Sequence, residues 1–183
     1  MRVIAGTRKG HLLLTPASRQ VRPTSSRVRT VLFDVLGRGM AGARVLDVFA
    51  GAGGLGIEAL SRGAAWVDFL EKNRQHARLI QTNLHKTHLE DHARVMVDDA
   101  FLFLARRADE RPPYDLILAD PPYDFSGYDR LLQLITANPI LTPAGLLVLE
   151  TSSRINLPAP PPGLQFLSER RIGETKLLFY RRE

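Results

Sequence analysis

The chain of 183 residues contains no cysteine, which excludes disulfide bonds and cysteine-ligated zinc. Its five histidines are scattered. The nearest approach to a cluster, His85, His88 and His92, falls at the polar end of a predicted helix, where we expect solvated side chains and no metal. No apolar run approaches the about 20 residues of a membrane-spanning helix. The start, Met1 to Gly6, lacks the features of a signal peptide, so we expect a cytoplasmic protein.

Basic residues are concentrated at the beginning of the chain. The net charge of the whole chain is +6, but residues 1–38 hold eight basic residues and one acid, a net of +7, which leaves −1 for residues 39–183. A basic segment on an otherwise balanced protein favours contact with a phosphate backbone. The length and a hydrophobic content of 44% leave room for one well-buried domain. We therefore predict a basic hairpin and helix over residues 1–38, as an extension of a main domain over residues 39–183.

Hydrophobic patterning predicts an α/β fold. The runs 2–5 and 11–14 flank a glycine-bounded basic loop and predict a hairpin, and a helix then begins at Thr24 or Ser25 and ends at Gly37. From residue 43 onward, β-rich runs alternate with helical segments, which is typical of a parallel sheet with helices on both faces. The last two strands read as an antiparallel hairpin. Strands are predicted at 44–49, 66–71, 94–98, 114–119, 145–150, 165–171 and 176–180, and helices near 54–61, 74–87, 100–107 and 127–136.

The most specific motif is Asp120-Pro121-Pro122-Tyr123, which follows the apolar strand 114–119. An exocyclic amine on a purine is a poor nucleophile, so a catalyst must hold it in line with the methyl donor. The Asp120 carboxylate and the Pro121 carbonyl can each accept one N–H of such an amine. Two prolines fix that carbonyl, and Tyr123 offers a stacking face for the base. The motif predicts methylation of a planar amine.

A glycine-rich loop follows the first predicted strand. It runs from Asp47 to Gly56, and Gly51, Gly53 and Gly56 let the backbone approach a ligand at a helix N-terminus. The same spacing, with Glu71 about 20 residues after Gly51, also fits dinucleotide binding. The loop alone therefore leaves a nicotinamide-dependent oxidoreductase open.

Acidic residues close four successive strands. Ligands of open α/β sheets bind at the carboxyl ends of the strands, so these side chains should surround the ligand. A pyrophosphate would lie against several carboxylates, whereas S-adenosylmethionine carries a sulfonium and an ammonium and has no phosphate. The pattern favours S-adenosylmethionine as the cofactor. The strand-end acids are Asp47, Glu71, Asp98 or Asp99, and Asp120.

Motifs along nearly the whole chain resemble the class I S-adenosylmethionine-dependent methyltransferases, and among them the RsmD-like 16S rRNA (guanine-N2)-methyltransferases. The glycine loop is shared by many methyltransferases, whereas Arg-Pro-Thr with Arg-Val-Arg is much more specific. The matching segments are 2–6, 9–10, 22–24, 27–29, 32–33, 47–53, 55–56, 58–62, Glu71 and 120–123.

The resemblance implies a Rossmann-like fold with a mostly parallel seven-stranded sheet, an antiparallel C-terminal hairpin and a small N-terminal extension. Glu71 would bind the ribose hydroxyls, and Asp99, with Asp98 as the alternative, the adenine amino group. The residues implied for cofactor binding are Asp47, Phe49, Ala50, Gly51, Gly53, Gly56, Glu71, Asp99 and Ala100. Those implied for catalysis are Asp120, Pro121, Pro122 and Tyr123, and those for RNA contact are Arg8, Lys9, Arg22, Thr24, Arg27 and Arg29.

The reaction implied is direct transfer of the sulfonium methyl group to the 2-amino group of an unpaired or flipped guanine, without a metal. The implied partner is 16S rRNA within the small ribosomal subunit or its late precursor, and we expect a monomer. Three alternatives stay open: a DNA adenine 6-amino methyltransferase, the nicotinamide-dependent oxidoreductase and a non-catalytic RNA-binding or assembly factor. The basic N-terminal segment is consistent with both the rRNA guanine methyltransferase and the DNA adenine methyltransferase.

Overall fold

The protein is described here by a computed structural model that covers residues 1–16, 25–106 and 112–183, without the side chain of Arg38. Within these ranges there are five α-helices and seven strands. Helices separate the first five strands, and short 3₁₀ turns follow the first helix and precede the third strand. The helices are α1 (Ser26–Leu36), α2 (Gly54–Ser61), α3 (Arg74–Thr87), α4 (Ala100–Ala105) and α5 (Tyr128–Ala137). The strands are β1 (Arg44–Val48), β2 (Trp66–Leu70), β3 (Ala93–Met96), β4 (Tyr114–Ala119), β5 (Leu141–Ser152), β6 (Leu164–Ile172) and β7 (Thr175–Arg182).

The described strands form one mixed sheet in the order β3-β2-β1-β4-β5-β7-β6. The first five strands of this order are parallel, and β7 is antiparallel to both β5 and β6. The chain moves outward from β1 to β3 and then returns to place β4 on the other side of β1. This reversal opens a crevice at the carboxyl ends of β1 and β4, where open α/β sheets bind ligands. The predicted fold class is confirmed.

Both faces of the sheet are covered, as a parallel sheet requires. Alternate residues of a strand point to opposite faces, so Val45 joins one apolar cluster and Leu46 the other. The first cluster packs against α1, α2 and α3, and the second against α4 and α5. Residues of the predicted extension, including Val3 and Phe33, lie in the first cluster together with Val45. The predicted boundary at residue 38 therefore does not separate two hydrophobic cores.

The predicted N-terminal hairpin is reduced to one antiparallel bridge, between Arg2 and Leu12. The loop that it closes is fastened to α2. The Ser61 carbonyl accepts the Thr7 N–H, and Gly6 passes so close that a Cβ there would lie 1.8 Å from the Ser61 oxygen. Gly6 also has a φ of +82°, which favours glycine. Gly6, which ends the first matching segment, is thus required by the close approach of the Ser61 backbone.

Strand β5 is longer than predicted. It begins at Leu141 because the chain continues the sheet through an irregularity, where pairing shifts between Tyr114 and Leu116 on β4 and Ala144 has a φ of +61°. The sequence Thr-Pro-Ala-Gly at 142–145 resembles a turn, so the pattern predicted only the part of β5 beyond it. In contrast, α2 and α3 have the predicted bounds.

Candidate active site

A cavity of about 750 Å³ opens at the carboxyl ends of the central strands. Its lining includes Phe49, Ala50 and Gly51 of the loop after β1, together with Asp120 to Tyr123 after β4. The two segments that sequence patterning selected for a cofactor and for a planar amine therefore meet in one cavity. Asp47 also lines the cavity.

The loop between β1 and α2 depends on its glycines in different ways. Gly53 caps α2 with a left-handed conformation (φ +79°), which glycine adopts without strain. Gly56 has a packing role, because a Cβ there would lie 2.2 Å from the ring of Phe69 on β2. Its N–H donates to Asp47 Oδ2 over 2.9 Å, which holds the start of α2 against the end of β1. The spacing Gly51, Gly53, Gly56 therefore reflects loop and helix packing, and only Gly51 of these three lines the cavity.

Asp47 is a buried carboxyl group beside other carboxyl groups. Its exposed fraction is 1%. Burial raises the pKa of Asp47 to about 7; the bond from Gly56 opposes this shift, and the nearby Asp120 and Glu71 add to it. A cation in the cavity would stabilise the carboxylate. The part of the cavity beside Asp47 is therefore better matched to a positively charged group than to a phosphate.

The other strand-end acids organise the same edge of the sheet. Glu71 accepts hydrogen bonds from the Gly51 and Asn73 N–H groups, each over 2.8 Å, so it ties the glycine loop to the start of α3. Asp99 Oδ1 caps α4 by accepting from the backbone of Phe101 and Leu102.

Asp98 bonds to Arg106 over 2.6 Å, while Ala100 is buried against the second apolar cluster. Glu71, Asp98, Asp99 and Ala100 are not part of the cavity lining. Their proposed contacts with ribose and adenine remain predictions. The existing bonds leave the choice between Asp98 and Asp99 open.

The loop after β4 is held by backbone bonds and aromatic packing. The Asp120 N–H donates to the Val48 carbonyl over 3.4 Å, which joins the ends of β4 and β1. Below the loop, the ring of Phe125 packs edge-on against Phe49 and Tyr128, with centroids 5.2 and 4.9 Å apart. Tyr123 is 71% exposed. The loop thus leaves the ring of Tyr123 open to an incoming planar group.

The expectation that Arg29 projects away from the buried face of α1 is wrong, and its contact with RNA remains a prediction. Its exposed fraction is 2%, and Nη2 donates to the Arg2 carbonyl over 2.9 Å. Nη1 lies 3.8 Å from a carboxylate oxygen of Glu58, itself 0% exposed. Burial lowers the pKa of Arg29, while Glu58 opposes that shift. Arg29 is thus an internal cation that helps to hold the N-terminal segment against α2.

The remaining predicted RNA contacts differ in exposure. Lys9 and Arg27 are exposed; Arg27 lines the main cavity, and Lys9 lines an adjacent groove between the N-terminal segment and α1. Arg8 is half-buried and donates to the His88 carbonyl at the end of α3 over 3.3 Å, a helix-capping contact. Arg22 and Thr24 lie outside the described residues.

Asn83 connects the N-terminal segment with the glycine loop. This fully buried side chain of α3 accepts from the Leu14 N–H over 2.8 Å and donates to the carbonyls of Leu14 and Ala52, each over 3.0 Å. Ala52 lines the cavity. One amide therefore couples the position of residue 14 to a wall of the candidate site.

Several residues of the cavity wall escaped sequence reasoning. Glu150 and Thr151 come from the end of β5, Tyr128 from the start of α5, and Arg154 and Glu174 form an exposed ion pair at the rim. Glu150 ends a buried apolar strand, as the other strand-end acids do, so the same rule applied to the fifth strand would have found it. The other four residues give no comparable sequence signal.

Among residues 1–16, 25–106 and 112–183 there is no group of three or more His, Asp or Glu side chains that could hold a metal ion. Over the same ranges, no helix is long and apolar enough to cross a membrane.

The sheet order, the glycine loop after β1 and the Asp-Pro-Pro-Tyr loop after β4 define a class I S-adenosylmethionine-dependent methyltransferase. A solved structure described as "Putative methyltransferase yhhF from Escherichia coli" superposes with a TM-score of 0.89 at 32% identity, covering 100% of this chain and 98% of that one. A family model described as "Conserved hypothetical protein 95" matches residues 1–181, and the chain belongs to this family.

Relatives named as methyltransferases match this chain over its full length. The "Putative rRNA methyltransferase YlbH" of Bacillus subtilis is 35% identical over 182 residues, covering 100% of this chain and 99% of the relative. The "Ribosomal RNA small subunit methyltransferase D" of Escherichia coli K12 is 33% identical over 183 residues, covering 100% and 90%. The predicted RsmD-like membership is confirmed.

Proposed function

We propose that the protein transfers the methyl group of S-adenosylmethionine to the 2-amino group of a guanine in 16S rRNA of the small ribosomal subunit. The observation that carries the proposal is the meeting of the glycine loop with Asp120 to Tyr123 on one cavity. The names of the relatives from Bacillus subtilis and Escherichia coli support ribosomal RNA as the acceptor. They do not favour DNA adenine or a nicotinamide substrate.

The residues present fit S-adenosylmethionine. The buried Asp47 carboxyl group, with its pKa raised to about 7, gains from a cation, and the methionine ammonium is a cation. Phe49, Ala50 and Gly51 would line the methionine end, while Glu71 and Asp99 are proposed for the ribose and adenine. When bound, the cofactor supplies an electrophilic methyl group on sulfur. No phosphate has to be placed against the strand-end carboxylates.

Asp120 is the proposed catalytic anion. Its carboxylate would accept one N–H of the guanine amino group, and the Pro121 carbonyl would accept the other. As the bond from nitrogen to the methyl carbon forms and the carbon–sulfur bond breaks, the amino nitrogen would become positively charged. The nearby carboxylate would stabilise that charge and so lower the barrier, and the excess proton would then pass to solvent. The exposed ring of Tyr123 would stack on the base. Within this scheme the protein positions the reactants and stabilises the developing charge.

The direct test is transfer of labelled methyl groups to small ribosomal subunits that lack the modification, followed by mapping of the labelled nucleoside. We expect N2-methylguanosine from the wild type. Asp120→Ala should reduce the rate by about 100-fold or more while S-adenosylmethionine still binds. Asp124→Ala is the matched control, because Asp124 is exposed in the same loop and does not line the cavity.

Full activity of Asp120→Ala would contradict the mechanism. Label in DNA adenine, with none in ribosomal RNA, would instead support a DNA adenine methyltransferase. Binding of a nicotinamide dinucleotide without binding of S-adenosylmethionine would support an oxidoreductase. A non-catalytic assembly factor would be supported by two results together: the wild type methylates no substrate, and ribosome assembly is unchanged in a strain that carries Asp120→Ala.

RNA should reach the cavity across the basic groove at the N-terminal segment. The target base must be unpaired or flipped to enter, with flanking phosphates near Lys9 and Arg27. We expect the double change Lys9→Ala and Arg27→Ala to weaken RNA binding and to reduce the slope of log affinity against log salt by about two units. The control replaces Arg78 and Lys86, which are exposed on α3. An equal loss of slope in the control would contradict a localised RNA surface.

The proposal places the enzyme in the cytoplasm, where ribosomal subunits are assembled, and as a monomer on its RNA. Comparing transfer to free 16S rRNA with transfer to assembled subunits, and measuring the mass of the free enzyme by light scattering, tests these points.

A further inference from the structure

Glu150 stands beside Asp120 at the end of the sheet. On the neighbouring parallel strands β4 and β5, Ala119 pairs with Leu149. The residues that follow them along the chain are Asp120 and Glu150. Adjacent strands lie about 5 Å apart. Leu118 and Val148, two positions earlier, both join the first apolar cluster. Because alternate residues share a face, Asp120 and Glu150 continue on one face of the sheet, and both line the cavity.

The wall behind Glu150 is well packed. Thr151, the next residue, is 5% exposed, and its hydroxyl donates to the Tyr128 hydroxyl over 3.3 Å. Tyr128 is 6% exposed and packs against Phe125. The end of β5 is also bonded to β7, where Glu150 pairs with Leu177. Glu150 is therefore carried by a rigid element, as a residue that selects a substrate must be.

The two purines differ at the ring position next to their exocyclic amine. Guanine presents its 2-amino group beside N1–H, which is a second donor. Adenine presents its 6-amino group beside N1, which is an acceptor. One carboxylate that holds an amine does not distinguish the two bases. A second carboxylate beside it accepts a hydrogen bond from guanine N1–H but faces the lone pair of adenine N1.

We propose that Glu150 is the residue that selects guanine over adenine, by accepting a hydrogen bond from guanine N1–H while Asp120 holds the 2-amino group. This inference rests on the proposed function and adds to it the basis of base selection. The Asp-Pro-Pro-Tyr loop can hold an exocyclic amine of either purine. Glu150, at the end of β5, restricts the substrate to the purine whose amine lies beside an N–H donor, which is guanine.

The test replaces the mapped target guanine by 2-aminopurine in reconstituted small subunits. This base keeps the 2-amino group and lacks the N1 hydrogen. We expect kcat/KM of the wild type to fall by about 10- to 100-fold on 2-aminopurine, which is the range for a hydrogen bond to a charged group. Glu150→Gln should act less well on guanine and bring the two bases to within about threefold, because its amide can also donate to N1.

Glu174→Gln is the matched control, since Glu174 is an acid on the rim of the same cavity, 79% exposed. It should keep the wild-type ratio. Binding of S-adenosylmethionine by Glu150→Gln establishes that the variant is folded, and Glu150→Ala provides a second variant in which the ratio should also collapse.

Equal activity of the wild type on both bases would overturn the inference, as would a wild-type ratio in the Glu150 variants, because a purely structural residue lowers both activities together. A wild type that leaves guanine-containing subunits unmethylated would instead overturn the proposed function itself.

Discussion

Replacement of Glu58 by Gln should unfasten the N-terminal segment and destabilise the whole domain. The carboxylate accepts the Ile4 and Ala5 N–H groups over 2.8 and 3.0 Å, bonds to Arg62 over 2.8 Å and neutralises the buried Arg29. The amide has one acceptor oxygen in place of two and no charge. It leaves a backbone donor unpaired and Arg29 buried without its anion.

Loss of one partner from a buried ion pair costs about 3–5 kcal/mol. For a chain of this size, 1 kcal/mol shifts Tm by about 2–4 °C, so we expect the Tm of Glu58→Gln to fall by at least roughly 6 °C. Urea unfolding followed by circular dichroism gives the free energy of unfolding. Glu90→Gln is the control, because Glu90 is 43% exposed in its contact with His85. A Glu58→Gln variant within about 0.5 kcal/mol of the wild type would refute the reasoning.

Two further predictions concern backbone space and proton binding. Gly6→Ala should destabilise the protein by about 2–3 kcal/mol more than Gly10→Ala in urea unfolding, because both have positive φ but only Gly6 has a backbone atom in the way. A similar loss in both would contradict the predicted clash. Because the folded pKa of Asp47 is raised to about 7, the native state binds the extra proton between about pH 4 and 7, and stability falls as pH rises through that window. Relative to Asp47→Asn, the wild type should lose about 2–3 kcal/mol of unfolding free energy between pH 5 and 8. Its affinity for S-adenosylmethionine, measured by calorimetry, should rise over the same range. A pH-independent difference in unfolding free energy between the two proteins would contradict the raised pKa.

Sequence reasoning located the cavity because its signals are local. Asp120 to Tyr123 follow a strand whose bounds were predicted correctly, and the glycine loop begins two residues before the predicted end of β1. Both segments therefore had to emerge at the same edge of the sheet. The expectation that strand-end acids surround the ligand missed Glu150 only because it was applied to four strands and not to the fifth.

The burial of Arg29 shows that a count of charged residues does not indicate which of them are exposed. Arg29 is four residues before Phe33, so the helical period places it on the buried face of α1. Its partner Glu58 lies 29 residues further along the chain on α2, and no local pattern joins the two. The concentration of positive charge was predicted correctly from the sequence. The helical period could have placed Arg29 on the buried face, whereas its pairing with Glu58 required the packing of α1 on α2.

The amide of Asn83 joins the N-terminal segment to the glycine loop, so we expect a movement of one to be transmitted to the other. It bonds residue 14 of the N-terminal segment, where we propose that RNA binds, and the Ala52 carbonyl of the glycine loop. Any RNA-induced shift at Leu14 must break these bonds or move the Ala52 carbonyl with it. Whatever factor RNA applies to the affinity for S-adenosylmethionine, the cofactor applies to the affinity for RNA. Under the proposed function, Asn83 would therefore couple RNA binding to cofactor binding in both directions.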